Sequence, residues 1–156
     1  MTIPIYQADA FTDQLFGGNP AAICPLTEWL ADDVMQQIAK ENNLAETAFF
    51  VKTANGFALR WFTPEYEIDL CGHATLASAH VLFTELAHSG DSIQFETLKA
   101  GVLTVTKDGD KYTMDFPSRP PIPIEIPNGL LEAQTAGIHI TVKGLFCGLR
   151  NRGRYP

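Results

Sequence analysis

Apolar residues recur at every second position in several short runs of this chain and at helical spacing in longer ones. The alternation starts with Ile3 and Ile5 in "IPIYQADAF", and Ala8 falls out of phase, which predicts a strand from Ile3 that ends near Asp9. Gly17, Gly18, Asn19 and Pro20 are four consecutive turn formers, and "AAIC" after them reads as a short second strand. "ETAFFVKT" and "GFALRWFTP" are rich in aromatic and β-branched residues and are separated by "ANG", which predicts a hairpin of Glu46 to Thr53 with Phe57 to Thr63. "SIQFETL", "GVLTVTK" and "KYTMDFP" give three further strands joined by tight turns.

Two segments carry the helical period. From Ala31 to Asn43, Val34, Met35 and Ile38 lie about one turn apart, and Asp32 and Asp33 occupy the first turn, where the helix dipole favours acidic groups. "GHATLASAHVLFTELAHSG" has no charged residue before Glu85 and is small or aliphatic on nearly every face, so it predicts a buried helix that begins near Gly72 and stops by Gly90. The architecture these elements imply is α+β: a mostly antiparallel sheet curled around one buried central helix. Ala74, Ala77, Val81, Leu82, Phe49, Val51, Trp61 and Val105 are its expected core.

Beyond Phe116 the texture changes. "PSRPPIPIEIP" holds five prolines in eleven residues and reads as an extended linker, so residues 1–118 form the expected domain and 119–156 a Pro-rich linker with an atypical tail. A net charge of −7 with a pI near 4.9 leaves too few cations to neutralise a phosphate backbone, which argues against nucleic acid and anionic membranes as partners. No apolar run approaches the ~20 residues that span a bilayer, and the reading is a cytoplasmic protein. Cys24, Cys71 and Cys147 are odd in number and widely spaced, with no CxxC or metal-type pairing, so neither a disulfide framework nor a metal site is expected.

The candidate chemistry lies around "EIDLCGHATLASAH". If Gly72 opens the buried helix, free first-turn N–H groups face whatever lies in front of them and favour an anion or carboxylate, and a glycine permits close approach. His73 would stand at the same place, able to donate a hydrogen bond or move a proton. The plain alternative makes Gly72 a turn residue and His73 a partly exposed neighbour. His80 and His88, on or beyond an apolar helix, read as structural. Glu46 leads into an apolar strand, a setting suited to a general acid or base, although strand-opening carboxylates are often simply solvated. Cys71, just ahead of a helix N-terminus, is placed for a lowered thiol pKa, while free cysteines are also common packing residues.

"YQADAFTDQLFGGNPAAIC", "IAKENNLAETAFF", "LRWFTPEYEIDLCGHATLASAHVL" and "AGVLTVTKDGDKYTMDFP" together resemble the N-terminal half of the phenazine-biosynthesis PhzF-like family, which has the diaminopimelate epimerase-like fold. The resemblance covers about Ile3 to Pro127. It implies a cofactor-free isomerase that shifts a proton on a small carboxylated substrate held between two similar domains. The Glu of "ETAF" falls on Glu46, the implied general acid/base, and the family's Gly-His on Gly72 and His73, the implied substrate contacts. Asp9, Asn19 and Pro20 match motif positions without an assigned role. Cys71 corresponds to a catalytic thiol in epimerases and racemases of this fold, which keeps cysteine-dependent chemistry as the alternative, beside a non-catalytic domain.

Two departures accompany the resemblance. The family's later "EDPVTGSA"-like motif has no counterpart, so half of the site is expected, together with self-association as a homodimer. "TAGIHITVKGLFCGLRNRGRYP" places three Arg within five residues of an otherwise acidic chain. A frameshift near Glu132 to Thr135 would account for this, because permissible codons for 137–156 read "AYISQSKDYFAVYETEEDI" in another frame, a strand followed by an acidic helix start. Coding DNA that encodes nothing family-like in that frame removes the explanation.

Overall fold

A computed structural model describes residues 2–14 and 16–118, and the linker and tail expected over 119–156 lie outside the described residues. The elements run β1 (Tyr6–Ala10), β2 (Asn19–Leu26), α1 (Asp32–Asn42), β3 (Glu46–Lys52), β4 (Phe57–Phe62), β5 (Glu67–Ile68), α2 (Gly72–Thr84), β6 (Ser92–Thr97), β7 (Val102–Asp108) and β8 (Lys111–Asp115). The strands form one sheet in the order β1-β2-β3-β4-β6-β7-β8, with β5 paired to β4. Five of the seven pairings are antiparallel; β2–β3 and β4–β6 are parallel, bridged by α1 and α2, so the sheet is mixed.

Strand alternation sorts the sheet into two apolar faces. Ala21, Ile23, Ala48, Phe50, Leu59, Trp61, Phe95, Leu103 and Val105 face α2, whose Ala74, Ala77, Val81 and Leu82 join the same cluster. Tyr6 and Ala8 from one edge strand and Tyr112 and Met114 from the other pack against that cluster, which a sheet can do only by curling around the helix. On the opposite face, Cys24, Phe49 and Phe62 pack with Met35 and Ala39 of α1. The edges β1 and β8 flank a groove of about 520 Å³ floored by Leu76, Ala77, His80 and Val81 of α2.

The buried hydroxyls of Thr75 and Ser78 on α2 bond back to carbonyls four residues earlier. Thr75 Oγ1 donates to the carbonyl of Cys71, and Ser78 Oγ to that of Ala74 at 2.7 Å. Arg60 on β4 donates from Nε and Nη2 to the two Glu67 oxygens at 2.7 and 2.8 Å, and from Nη1 to Asp32 at 2.8 Å, so one guanidinium ties β5 and the start of α1 to β4.

Several expectations need correction. The first strand begins at Tyr6, and Ile3 instead packs beside the α1 cluster. Asn19 and Pro20 open β2 rather than belonging to the turn. Pro20 precedes the first β2–β3 pair, Ala21 with Glu46, and Pro25 lies past the last β1–β2 pair, so each proline sits where one flank of β2 lacks a partner. The central helix ends at Thr84, six residues before Gly90, as Leu86 N–H and His88 N–H bond back to Val81 and Leu82 and Ala87 takes φ 49°. Val51 is half-buried, because it lies on the α1 face beyond the reach of that helix's apolar cluster.

Candidate active site

Glu46 reaches the site through strand parity. Ala48 and Phe50 face α2, so Glu46, two residues earlier in β3, faces the same way. Asn43 ends α1 in the left-handed conformation at φ 52°, a shape asparagine tolerates, and Asn42 Nδ2 donates to Thr47 Oγ1 at 3.1 Å, which fixes the turn leading into Glu46.

His73 and Gly72 come from the start of α2. Cys71 is the extended N-cap residue and Gly72 the first helical one. The first turn of α1 carries Asp32 and Asp33, but that of α2 has no acidic residue and no capping side-chain bond. The carboxylate that meets α2 comes from another element. Glu46 Oε2 lies 3.0 Å from His73 Nε2, and these side chains are only 17% and 9% exposed. The contact is close but off the line of a hydrogen bond, so both atoms are buried without a hydrogen-bond partner. On the other side of the ring, His73 Nδ1 is 3.4 Å from Cys71 Sγ. His73 is therefore a buried bridge between a carboxylate and a thiol, not a partly exposed first-turn residue.

The Cys71 thiol is pushed up to about 12, first by burial and then by the charge of Glu46; the first-turn amides of Ala74 and His73 pull the other way and lose. The expectation of a lowered value fails because helix position is outweighed by dehydration beside an anion. Gly72 has room around it: a Cβ there would meet only Phe116 Cζ, at 3.9 Å. Its lack of a side chain keeps the approach to the helix start clear and is not forced by packing among the described residues.

The other singled-out residues take separate places. Asp9 pairs in register with Pro20, and Ala10 with Asn19, at the end of the β1–β2 pair where Ala21 adjoins Glu46. His80 Nδ1 is 3.1 Å from Tyr112 Oη beside the groove, and His88 Nε2 is 3.2 Å from the Ser92 carbonyl, both structural contacts. Sequence reasoning treated Trp61 only as core. Its buried Nε1 has no hydrogen-bond partner, and it stands opposite Ala48, two residues from Glu46 on the same face. Nothing in the sequence beyond its aromatic character signals an unpaired donor there.

The sequence profile of the phenazine biosynthesis-like protein family, PhzC-PhzF, matches residues 8–134. The chain belongs to this family. It is 53% identical over 133 residues to an uncharacterized isomerase of Pseudomonas aeruginosa, covering 85% of this chain and 51% of that protein. An uncharacterized isomerase of Halalkalibacterium halodurans is 48% identical over 158 aligned residues, 99% of this chain and 56% of the relative, so that alignment runs on through the segment after Pro127. A crystal structure of a PhzF-family phenazine biosynthesis protein from Enterococcus faecalis superposes with a TM-score of 0.75 at 50% identity, covering 85% of this chain and 51% of that one. The chain thus spans about half the length of the relatives it matches. The PhzF-family match encloses Glu46, Cys71, Gly72 and His73, and the likeness in structure bears out the sheet curled around a helix that the sequence predicted.

Proposed function

We propose that this PhzF-family chain serves cofactor-independent isomerisation, in which a proton moves from one carbon to another of a small carboxylated substrate. Glu46 is the acid/base: its carboxylate takes the proton from carbon and returns it at the second position. The substrate carboxylate docks at the first turn of α2, where N–H groups have no acidic side chain of their own, with His73 beside it and Gly72 leaving the approach open. The observation that carries this reading is the 3.0 Å contact of Glu46 with His73 at that helix start.

Cys71 fits the base role poorly. A thiol held near 12 stays protonated at neutral pH, so it supplies no thiolate. Orientation of a substrate between two walls contributes up to ~7–11 kcal/mol to such reactions, and the described residues supply one wall. We infer that the 156 residues alone turn over slowly, and that copies of this chain associate as homodimers.

The test is deuterium uptake from D2O into a dihydro-hydroxyanthranilate-type acid, followed by mass spectrometry. It is run with this chain and with the chain joined to the C-terminal half of the Pseudomonas relative. Uptake by the joined protein that disappears in Glu46→Gln supports the reading; uptake unchanged by that substitution, or none in either protein, ends it. Size-exclusion chromatography reads the association.

A further inference from the structure

We infer that Cys71 is a positioning residue of this centre: its thiol donates to His73 Nδ1, which leaves the imidazole proton on Nε2 and holds the ring where that N–H passes beside Glu46 instead of closing on it. The placement of the ring stands on geometry; its effect on turnover rests on the isomerase reading.

Cys71 and Glu46 meet the two nitrogens of one imidazole. Cys71 Sγ lies 3.4 Å from Nδ1, and Glu46 Oε2 lies 3.0 Å from Nε2. Cys71 and His73 are only 6% and 8% exposed, so water has little access to replace a missing donor. With the proton on Nδ1, the Nε2 lone pair would face a carboxylate oxygen, two buried acceptors with no hydrogen between them. With the proton on Nε2, an N–H faces the carboxylate and the Nδ1 lone pair faces the thiol. Burial and the charge of Glu46 keep that thiol protonated, so it has a hydrogen to give.

The thiol is also held in place by its own backbone. Cys71 is the extended cap of α2, at φ −143° and ψ 116°, and its carbonyl accepts from Thr75 N–H at 3.3 Å and from Thr75 Oγ1. The Glu46 contact is close but off the line of a hydrogen bond, so the ring contact that meets hydrogen-bond geometry is the one with sulfur. This arrangement suits a base. A straight Nε2–H···Oε2 bond would occupy the lone pair that takes a proton from carbon, whereas an N–H held to one side leaves that lone pair available. In the reaction the C–H bond breaks, the Glu46 O–H bond forms and the electron pair stays with the substrate. No bond to Cys71 or His73 forms or breaks.

The first measurement needs no substrate. Long-range proton–nitrogen NMR of the isotope-labelled 156-residue chain, under reducing conditions, reads which imidazole nitrogen carries the proton, and His73→Asn identifies the signals of that ring. The parent should show a neutral ring protonated on Nε2, whose Hε2 lacks the strong downfield shift of a carboxylate-bonded proton. Cys71→Ala should move Hε2 downfield as the ring closes on Glu46, and Cys71→Ser, which keeps an O–H donor, should retain the parent pattern. In the chain joined to the C-terminal half of the Pseudomonas relative, Cys71→Ala should lower kcat for deuterium uptake by about tenfold at unchanged KM, as loss of one hydrogen bond implies. Cys71→Ser should restore most of it. A parent ring protonated on Nδ1 or on both nitrogens overturns the inference, as does an Hε2 signal that folded Cys71→Ala leaves in place. Equal kcat losses in the two variants would make the thiol a reacting group, and kcat unchanged in both would make it packing alone; either result removes the positioning role. Circular dichroism establishes folding, and the parent and Cys71→Ser spectra decide if Cys71→Ala does not fold. Absence of uptake in the joined parent removes the isomerase reading, while the spectra still decide the placement of the ring.

Discussion

Glu46 Oε2 and His73 Nε2 stand 3.0 Å apart, joining the first residue of β3 to the second residue of α2. Neither element determines this contact alone. It arises because the β3 residues that pack against α2 alternate in step with Glu46, and because β5 and the Arg60–Glu67 pair deliver the chain to Cys71 at the height of the strand's first residue.

Glu46→Gln preserves the size of the side chain and removes its basic oxygen. In the joined protein, deuterium uptake should fall by ~10²–10⁴-fold, the usual contribution of a positioned acid or base. Cys71→Ser should lower it far less. Equal losses, or a larger loss for Cys71→Ser, would favour thiol chemistry.

Gly72→Ala separates substrate approach from packing. The added methyl meets nothing nearer than Phe116 Cζ at 3.9 Å, and alanine is the better helix former, so stability to urea should hold or rise by up to ~1 kcal/mol. If a carboxylate docks at the helix start, KM should rise by about tenfold, or ~1.4 kcal/mol, with no fall in urea midpoint. An unchanged KM would place the substrate elsewhere.

Alkaline stability follows from the two buried thiols. Cys24 and Cys71 are both raised from the ordinary 9.0 to about 12, chiefly by burial. Above pH 9 the unfolded chain therefore loses these protons while the folded chain keeps them. Their contribution to stability is full below about pH 9 and is lost as pH climbs toward 12. Urea midpoints at pH 8 and pH 10.5 should show the decline, and Cys24→Ser should make it shallower; equal midpoints in the parent chain would contradict the burial of both thiols.

Phe49→Ala tests the face opposite the site. Phe49 is fully buried, with its ring edge-on to Phe62 at 5.5 Å and 87°. Its removal should cost about 3–5 kcal/mol in urea unfolding. A cost below about 1 kcal/mol would mean that α1 contributes little cover to the sheet.

The strands and both helices were legible because their signals are local: aromatic and β-branched runs, turn residues, and an alanine-rich segment without charge. Parallel pairing was not, since Ala21 meets Glu46 and Phe57 meets Phe95 only after α1 and α2 carry the chain across the sheet. Val51 misled because alternation tells which face a residue joins and not how far the covering helix extends. At the site, Glu46, Gly72 and His73 could be named from motif and position, and their convergence at one end of the helix could be expected because a base must stand within reach of an anion held there; the parity of β3 against α2 realises it in the 3.0 Å contact of Glu46 with His73. Cys71 shows the limit most clearly. Its place before a helix lowers a thiol pKa, and only the fold reveals the burial and the neighbouring carboxylate that reverse the sign.

The mixed sheet also sets the order in which the chain must close. The β3–β4 hairpin and the β6–β7–β8 meander join strands that follow one another directly, whereas β2–β3 and β4–β6 must wait for a crossover. Contacts between remote segments slow folding because loop entropy is lost before they form. Pulse-labelled hydrogen exchange during refolding should find β3–β4 and β7–β8 amides protected before those joining β4 to β6, and simultaneous protection would refute this order. Glu46 would then wait on a hairpin made early, while His73 arrives with the long-range closure.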